Sequence, residues 1–198
     1  MARVRRRTGA VAAVVACCLS ACDVNARAAA AHTPRETRDT SAASELDLFR
    51  HALPSTDSLR GGATDAASLL RLVVRAAARQ DTTTLARLSV TRAEWAWLYY
   101  PASRYTRPPY RSPPALQWTL TIAASEKGVG RLLRELGGRR VRVSGTACAR
   151  VMDEGANRLW RDCVVEYRLD GARQRHRIAS ALLERGGRLK VLSYANDF

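Results

Sequence analysis

His176 is the only histidine after His51, and it carries whatever acid/base chemistry this chain offers. An imidazole titrates near neutral pH and can act as a general base when a hydroxyl or carboxylate lies beside it. Tyr167 and Glu94 are the residues positioned to assist it. The competing reading makes His176 an ordinary histidine at the rim of the fold. No other catalytic constellation is present: the chain has no Gly-x-Ser-x-Gly, no His-Glu-x-x-His, no phosphate-binding glycine loop and no clustered metal ligands. Gly128-Val129-Gly130 alone is too little for such a loop. The expectation is a noncatalytic protein with no cofactor and no metal, and the alternative is an enzyme working through His176.

Cys148 and Cys163 are spaced for oxidation. They lie symmetrically about Gly155-Ala156, so a hairpin turning there sets them opposite one another, with Cβ atoms roughly 4.5–5.5 Å apart. A slight adjustment then makes a disulfide; the alternative is a pair of reduced, buried thiols. The third unusual stretch runs from Trp95 to Trp118. It gathers Trp95, Trp97, Tyr99, Tyr100, Tyr105, Tyr110 and Trp118 among five prolines. Aromatic rings with polar tips suit a ligand- or partner-binding surface, and proline lowers the entropy lost in fixing it. The same composition also suits a braced lid that completes a small core.

The elements that must hold these residues are legible from Thr64 onward. Thr64 or Asp65 caps a helix through about Gln80, with Leu69, Leu70, Val73, Val74 and Ala77 on its apolar face. Asp81 ends it, and Thr82 to Thr84 start a second helix that packs through Leu85 and Leu88. Thr91-Arg92-Ala93-Glu94 is a capping box opening a third, which gives Glu94 a structural task that competes with any catalytic one. Ser112-Pro113 starts a fourth helix carrying Leu116, Leu120 and Ile122, with a strand as the alternative through Thr119, Thr121 and Ile122, and Ser125 opens a fifth helix that Gly137-Gly138 closes.

From Arg139 the period changes to two, and three turn signals cut the chain into four antiparallel strands. The register puts Met152 opposite Leu159, Thr146 opposite Val165, Ser144 opposite Tyr167, and Ile178 and His176 beside Cys163 and Val165, all on the core side. Asp162, Glu166, Arg168, Arg173, Arg175 and Arg177 form the solvated face, interrupted by Trp160 and Tyr194, and a long twisted sheet buries part of both faces. The fold class is α+β, N-terminal helices packed on a C-terminal four-stranded meander. Through Leu69-Leu70 to Ala78, Gln80-Asp81, Leu85 to Leu88 and the closing strands, residues 64–196 resemble the SnoaL-like and nuclear-transport-factor-like superfamily. That resemblance implies a cone-shaped domain, which in this superfamily serves isomerases, cyclases and dehydratases as well as noncatalytic binding modules.

The amino-terminal part reads as export. Arg3, Arg5, Arg6 and Arg7 precede a short apolar run, and Leu19-Ser20-Ala21-Cys22 resembles the bacterial lipoprotein lipobox. The resemblance implies cleavage before Cys22, acylation of the Cys22 thiol with fatty chains such as palmitate, and attachment to a bacterial membrane facing the periplasm or exterior. Two alternatives stay open: cleavage at Ala26-Arg27-Ala28 to release a soluble protein, or retention of the leader as an anchor helix. The expected organisation is a signal peptide over 1–21, a tether over 22–62 containing one short helix from Glu45 to Leu53, and a single domain over 63–198.

Removing the four leader arginines from 33 basic residues leaves 29 against 18 acidic ones, a formal +11. In a cytoplasmic protein such charge would suggest nucleic acid; export argues against that and favours an envelope protein, a glycan or an anionic polymer as the partner. An arginine-rich, merely solvated surface is the plainer account.

Overall fold

The computed structural model describes residues 43–196. The leader, the lipobox with Cys22 and the first half of the expected tether lie outside the described residues. A helix over residues 43–50, α1, comes first. It is followed by α2 (Ala66–Ala78), α3 (Thr82–Leu88), α4 (Arg92–Glu94) and α5 (Pro114–Leu136), then by β1 (Val141–Glu154), β2 (Asn157–Leu169), β3 (Ala172–Arg185) and β4 (Arg188–Tyr194). The strands form one open antiparallel sheet in the order β1-β2-β3-β4. The α+β meander expected from the sequence is the observed architecture.

The caps fall where their chemistry places them. Asp65 accepts from the Ser68 amide, Asp81 from the Thr84 amide, and Thr91 and Glu94 form a reciprocal capping box. Beyond Glu94 the helix does not stop but widens into a π-helical turn over Trp95–Tyr99 and tightens into a 3-10 turn over Tyr100–Ala102. The fourth and fifth helices expected from the sequence are one continuous helix. Ser125 opens nothing: it is buried in the middle of α5, where its hydroxyl accepts the Tyr194 amide at 3.2 Å. Three residues on, Gly128 lets the helix approach the end of β4. A Cβ at Gly128 would lie 2.4 Å from the Ala195 carbonyl oxygen.

Two hydrophobic clusters sandwich the sheet. The first packs Leu69, Leu70, Val73, Leu132 and Leu136 from α2 and α5 onto Cys163, Val165, Tyr167 and Ile178. The second packs Phe49, Trp95, Leu98, Tyr99 and Tyr100 onto Leu159, Leu183 and Leu192. Neighbours along a strand point to opposite faces, and accordingly Leu182 belongs to the first cluster and Leu183 to the second. Residues 43–62, read from the sequence as tether, belong to the packed domain. Phe49 and Leu59 are buried, and Ala63 bridges Leu189.

The register agrees with expectation at Cys148–Cys163, Thr146–Val165, Met152–Leu159 and Val165–His176. It departs at two irregularities. Between Val143 and Gly145 the ladder slips, so Tyr167 faces Val143 rather than Ser144. Between Cys163 and Val164 it slips again, so Cys163 faces Ala179 rather than Ile178. Beside the second slip Asp162 takes a left-handed backbone, φ +52°, and its carboxylate pairs with Arg150 at 2.9 Å and Arg177 at 2.6 Å. Strict alternation puts Leu159 and Cys163 on one face, yet they belong to different clusters, so the inward face changes at Asp162. Met152, expected on the core side, is 46% exposed, as is its neighbour Val151 on the opposite face at 48%, because both lie on the edge strand β1.

Candidate functional site

His176 on β3 meets two partners. Its Nδ1 lies 2.7 Å from the Tyr167 hydroxyl on β2 and 2.7 Å from Glu135 Oε1 near the end of α5, and the Tyr167 hydroxyl lies 2.6 Å from the same carboxylate oxygen. A bare Nδ1 lone pair so close to a carboxylate oxygen would be repelled, so Nδ1 carries a proton and in the neutral ring the lone pair sits on Nε2. Burial, then the hydrogen bond and charge of Glu135, push the Tyr167 phenol well above its usual range, and it stays protonated. Tyr167 and His176, paired in the sequence reading, are thus in contact, and Glu135 is the third member of the group. Glu135 carries no sequence signal of its own, since one glutamate near the end of a basic helix reads as solvent-facing.

Glu94, the other expected assistant, is engaged elsewhere. Its Oε2 receives Lys190 Nζ at 2.7 Å and the Thr91 amide at 2.8 Å, and its Oε1 receives the Arg60 amide at 2.8 Å. Burial alone would raise its pKa; the Lys190 hydrogen bond and the two amides overcome that and hold the carboxyl below its usual range. Three donors tie α4, β4 and the segment after α1 together at this point. A signal for Lys190 does exist: it is one of only two lysines, set between the apolar Leu189 and Val191.

The disulfide Cys148–Cys163 is formed, with Cα atoms 4.0 Å apart, and joins the edge strand to the core strand. The aromatic stretch divides by burial. Trp95, Tyr99 and Tyr100 are buried in the second cluster; Trp97, Tyr105 and Trp118 are half-buried against it; Tyr110 is exposed. Trp95 is the centre, in edge-on contact with Phe49 at 5.7 Å and Trp118 at 5.6 Å, and 4.9 Å from Tyr100. Arg50 stacks over Trp97 at 4.1 Å, and Arg104 lies over Tyr110 at 4.9 Å. Most of the expected binding surface is thus engaged in packing, and Trp118 and the arginine-covered Tyr105 and Tyr110 remain at its margin.

Open volume lies elsewhere. A groove of about 520 Å³ runs between α3 and α5 with β4 as its floor. Leu85, Ile122, Val129 and Val191 make it apolar, Trp118 stands at one end, and Ser125 and Tyr194 supply polar atoms. A second groove of about 450 Å³, lined by Arg71, Arg75, Arg79 and Arg139, follows α2 along β1. Neither groove includes Tyr167, His176 or Glu135 in its walls. Among the described residues no group of three or more His, Cys, Asp or Glu side chains is placed to hold a metal ion, and no helix is long and apolar enough to cross a membrane. Compared with known proteins, the chain matches no family model, and no curated protein or solved structure is significantly similar to it.

Proposed function

We propose that this chain is a lipid-anchored cell-envelope protein whose domain binds a small apolar ligand without transforming it. The observation that carries the binding half is the groove between α3 and α5. Its volume of about 520 Å³ and its apolar walls with few polar atoms match the usual make-up of a small-molecule site. The space between sheet and helices, where a cone-shaped enzyme would hold substrate, is instead occupied by Cys163, Val165, Tyr167 and Ile178, all buried. The anchoring half rests on Leu19-Ser20-Ala21-Cys22, and the disulfide agrees with an oxidising compartment.

The test uses the full chain in its native membrane and in detergent. A neutral apolar dye is expected to bind at one saturable site, and Ala86→Arg, on an exposed wall of the groove, is expected to abolish that binding at unchanged thermal stability. Cys22→Ala is expected to release the protein from the membrane fraction. Equal dye binding by the Ala86→Arg protein would reject the groove, and unchanged membrane attachment of Cys22→Ala would reject the anchor.

A second reading has one specific observation in its favour, the convergence of Tyr167 and Glu135 on His176. A carboxylate and a phenol converging on one imidazole are the groups that acid/base chemistry by a SnoaL-like enzyme acting on a small apolar substrate would use. Under that reading His176→Gln removes turnover while dye binding persists.

A further inference from the structure

The sheet has two edges, and they are treated differently. The outer edge of β4 is closed: Ala63 bridges Leu189, Ser89 bridges Val191, and the Val90 amide donates to the Val191 carbonyl at 2.8 Å. β1 pairs only with β2, and among the described residues no bridge covers its other side. An uncovered edge presents unpaired amides and carbonyls that template a further strand.

Beside this edge lies α2. The Gly138 amide donates to the Ala78 carbonyl at 2.9 Å, which ties the end of α2 to the start of β1. The groove between them has Val74, Ala78, Val141 and Val143 in its floor and Arg71, Arg75, Arg79 and Arg139 in its walls. Arg71, Arg75 and Arg79 are exposed and repeat every four residues, so successive guanidinium groups are spaced about 6 Å along the helix. Side chains on one face of a strand repeat every two residues, about 6.7 Å. The two periods nearly coincide.

We infer that the open edge of β1 and the arginine row of α2 together receive an extended acidic segment of another polypeptide, added to the sheet as a fifth strand. Its backbone pairs with β1, and its alternate carboxylates meet Arg71, Arg75 and Arg79 as charge-assisted hydrogen bonds. A second copy of this chain is excluded as the occupant of that strand position by charge, because its β1 edge would bring the same arginine row to face this one. This inference is independent of the apolar groove, which lies against the opposite edge strand, β4.

The probe is an end-capped octapeptide of alternating glutamate and threonine, titrated into the full chain at low salt and followed by fluorescence anisotropy. Saturable binding is expected, about tenfold weaker for each of Arg71→Gln and Arg75→Gln, both exposed positions that leave the fold intact. A peptide of the same charge with its alternate backbone amides methylated is expected to lose binding, whereas a lysine-threonine peptide should never bind. Equal binding of the methylated peptide would show charge attraction without strand addition and overturn the inference. So would binding of phosphatidylglycerol vesicles through the same arginines with no peptide binding.

Discussion

Lys190 Nζ and Glu94 Oε2 lie 2.7 Å apart with side chains only 2% and 4% exposed, so a full ion pair is buried where β4 passes the end of α4. Attraction between buried charges barely repays their dehydration, but removing one partner strands the other. Glu94→Gln is therefore expected to cost about 3–5 kcal/mol in urea unfolding at neutral pH. The Glu94→Gln/Lys190→Met double variant should recover most of that loss. Because Glu94 is held below its usual range, its contribution is present above the unfolded value of about 4.3 and is lost as pH falls through the lower folded value. The wild-type midpoint should fall on acidification more steeply than that of the double variant; equal slopes would remove Glu94 from the acid transition.

Alkaline pH acts with the opposite sign. Burial pushes the Tyr194 phenol up to about 12 and pushes Tyr99 and Tyr167 higher still. A phenol whose folded pKa is raised holds its proton more tightly in the folded state. Its contribution is complete below the unfolded value of about 10 and is lost as pH rises toward and through the folded one. Ultraviolet titration should show these three tyrosines ionising together with unfolding, and Tyr167→Phe should reduce the alkaline loss of stability. Early ionisation of all six tyrosines in the folded protein would contradict the buried hydroxyl network.

The disulfide closes a hairpin loop with a sequence separation of 15. Constraining the unfolded chain over such a loop stabilises the native state by about 3 kcal/mol. Cys148→Ala/Cys163→Ala should lower the unfolding free energy by about that amount, and reductant should reproduce the change in the wild type and have no effect on the variant. Two reactive thiols at these positions in protein isolated from its native source without reductant would show that the bridge does not form there.

What could be read from sequence was whatever local chemistry decides. The symmetric placement of Cys148 and Cys163 about Gly155-Ala156 fixed the first hairpin, and Thr64 or Asp65 and the Thr91–Glu94 box marked two helix starts, because each cap needs only a side chain and an amide three residues away; Asp81, read only as the end of α2, also caps α3. The misses come from contacts distant in sequence. Ser125 has the composition of a cap but serves a strand amide 69 residues later. The reversal of the inward face at Asp162 needs one left-handed residue braced by Arg150 and Arg177, which no period of two reveals. Glu135 joins His176 only once α5 lies across the sheet. The aromatic stretch was visible as unusual, but whether Trp95 faces a ligand or the core depends on α1, whose Phe49 covers it.

Gly128 and Gly130 separate helix propensity from packing within one turn of α5. On propensity alone, alanine at either position should stabilise the helix by about 0.8–1 kcal/mol. At Gly130 the nearest atom to a new Cβ is the end of the Arg134 side chain at 3.5 Å, ordinary contact, so Gly130→Ala should raise stability by about that amount. At Gly128 the Cβ would meet the Ala195 carbonyl oxygen at 2.4 Å and Tyr194 Cβ at 2.8 Å. Backbone cannot turn aside as a side-chain tip can, so α5 must lift from the end of β4, opening the Ser125–Tyr194 hydrogen bond with it. Gly128→Ala should therefore lose about 1–3 kcal/mol in spite of its better propensity. It should also speed hydrogen exchange at the Tyr194 amide. A stabilised Gly128→Ala protein would mean that helix and strand do not approach this closely, and the floor of the apolar groove would then have to be redrawn.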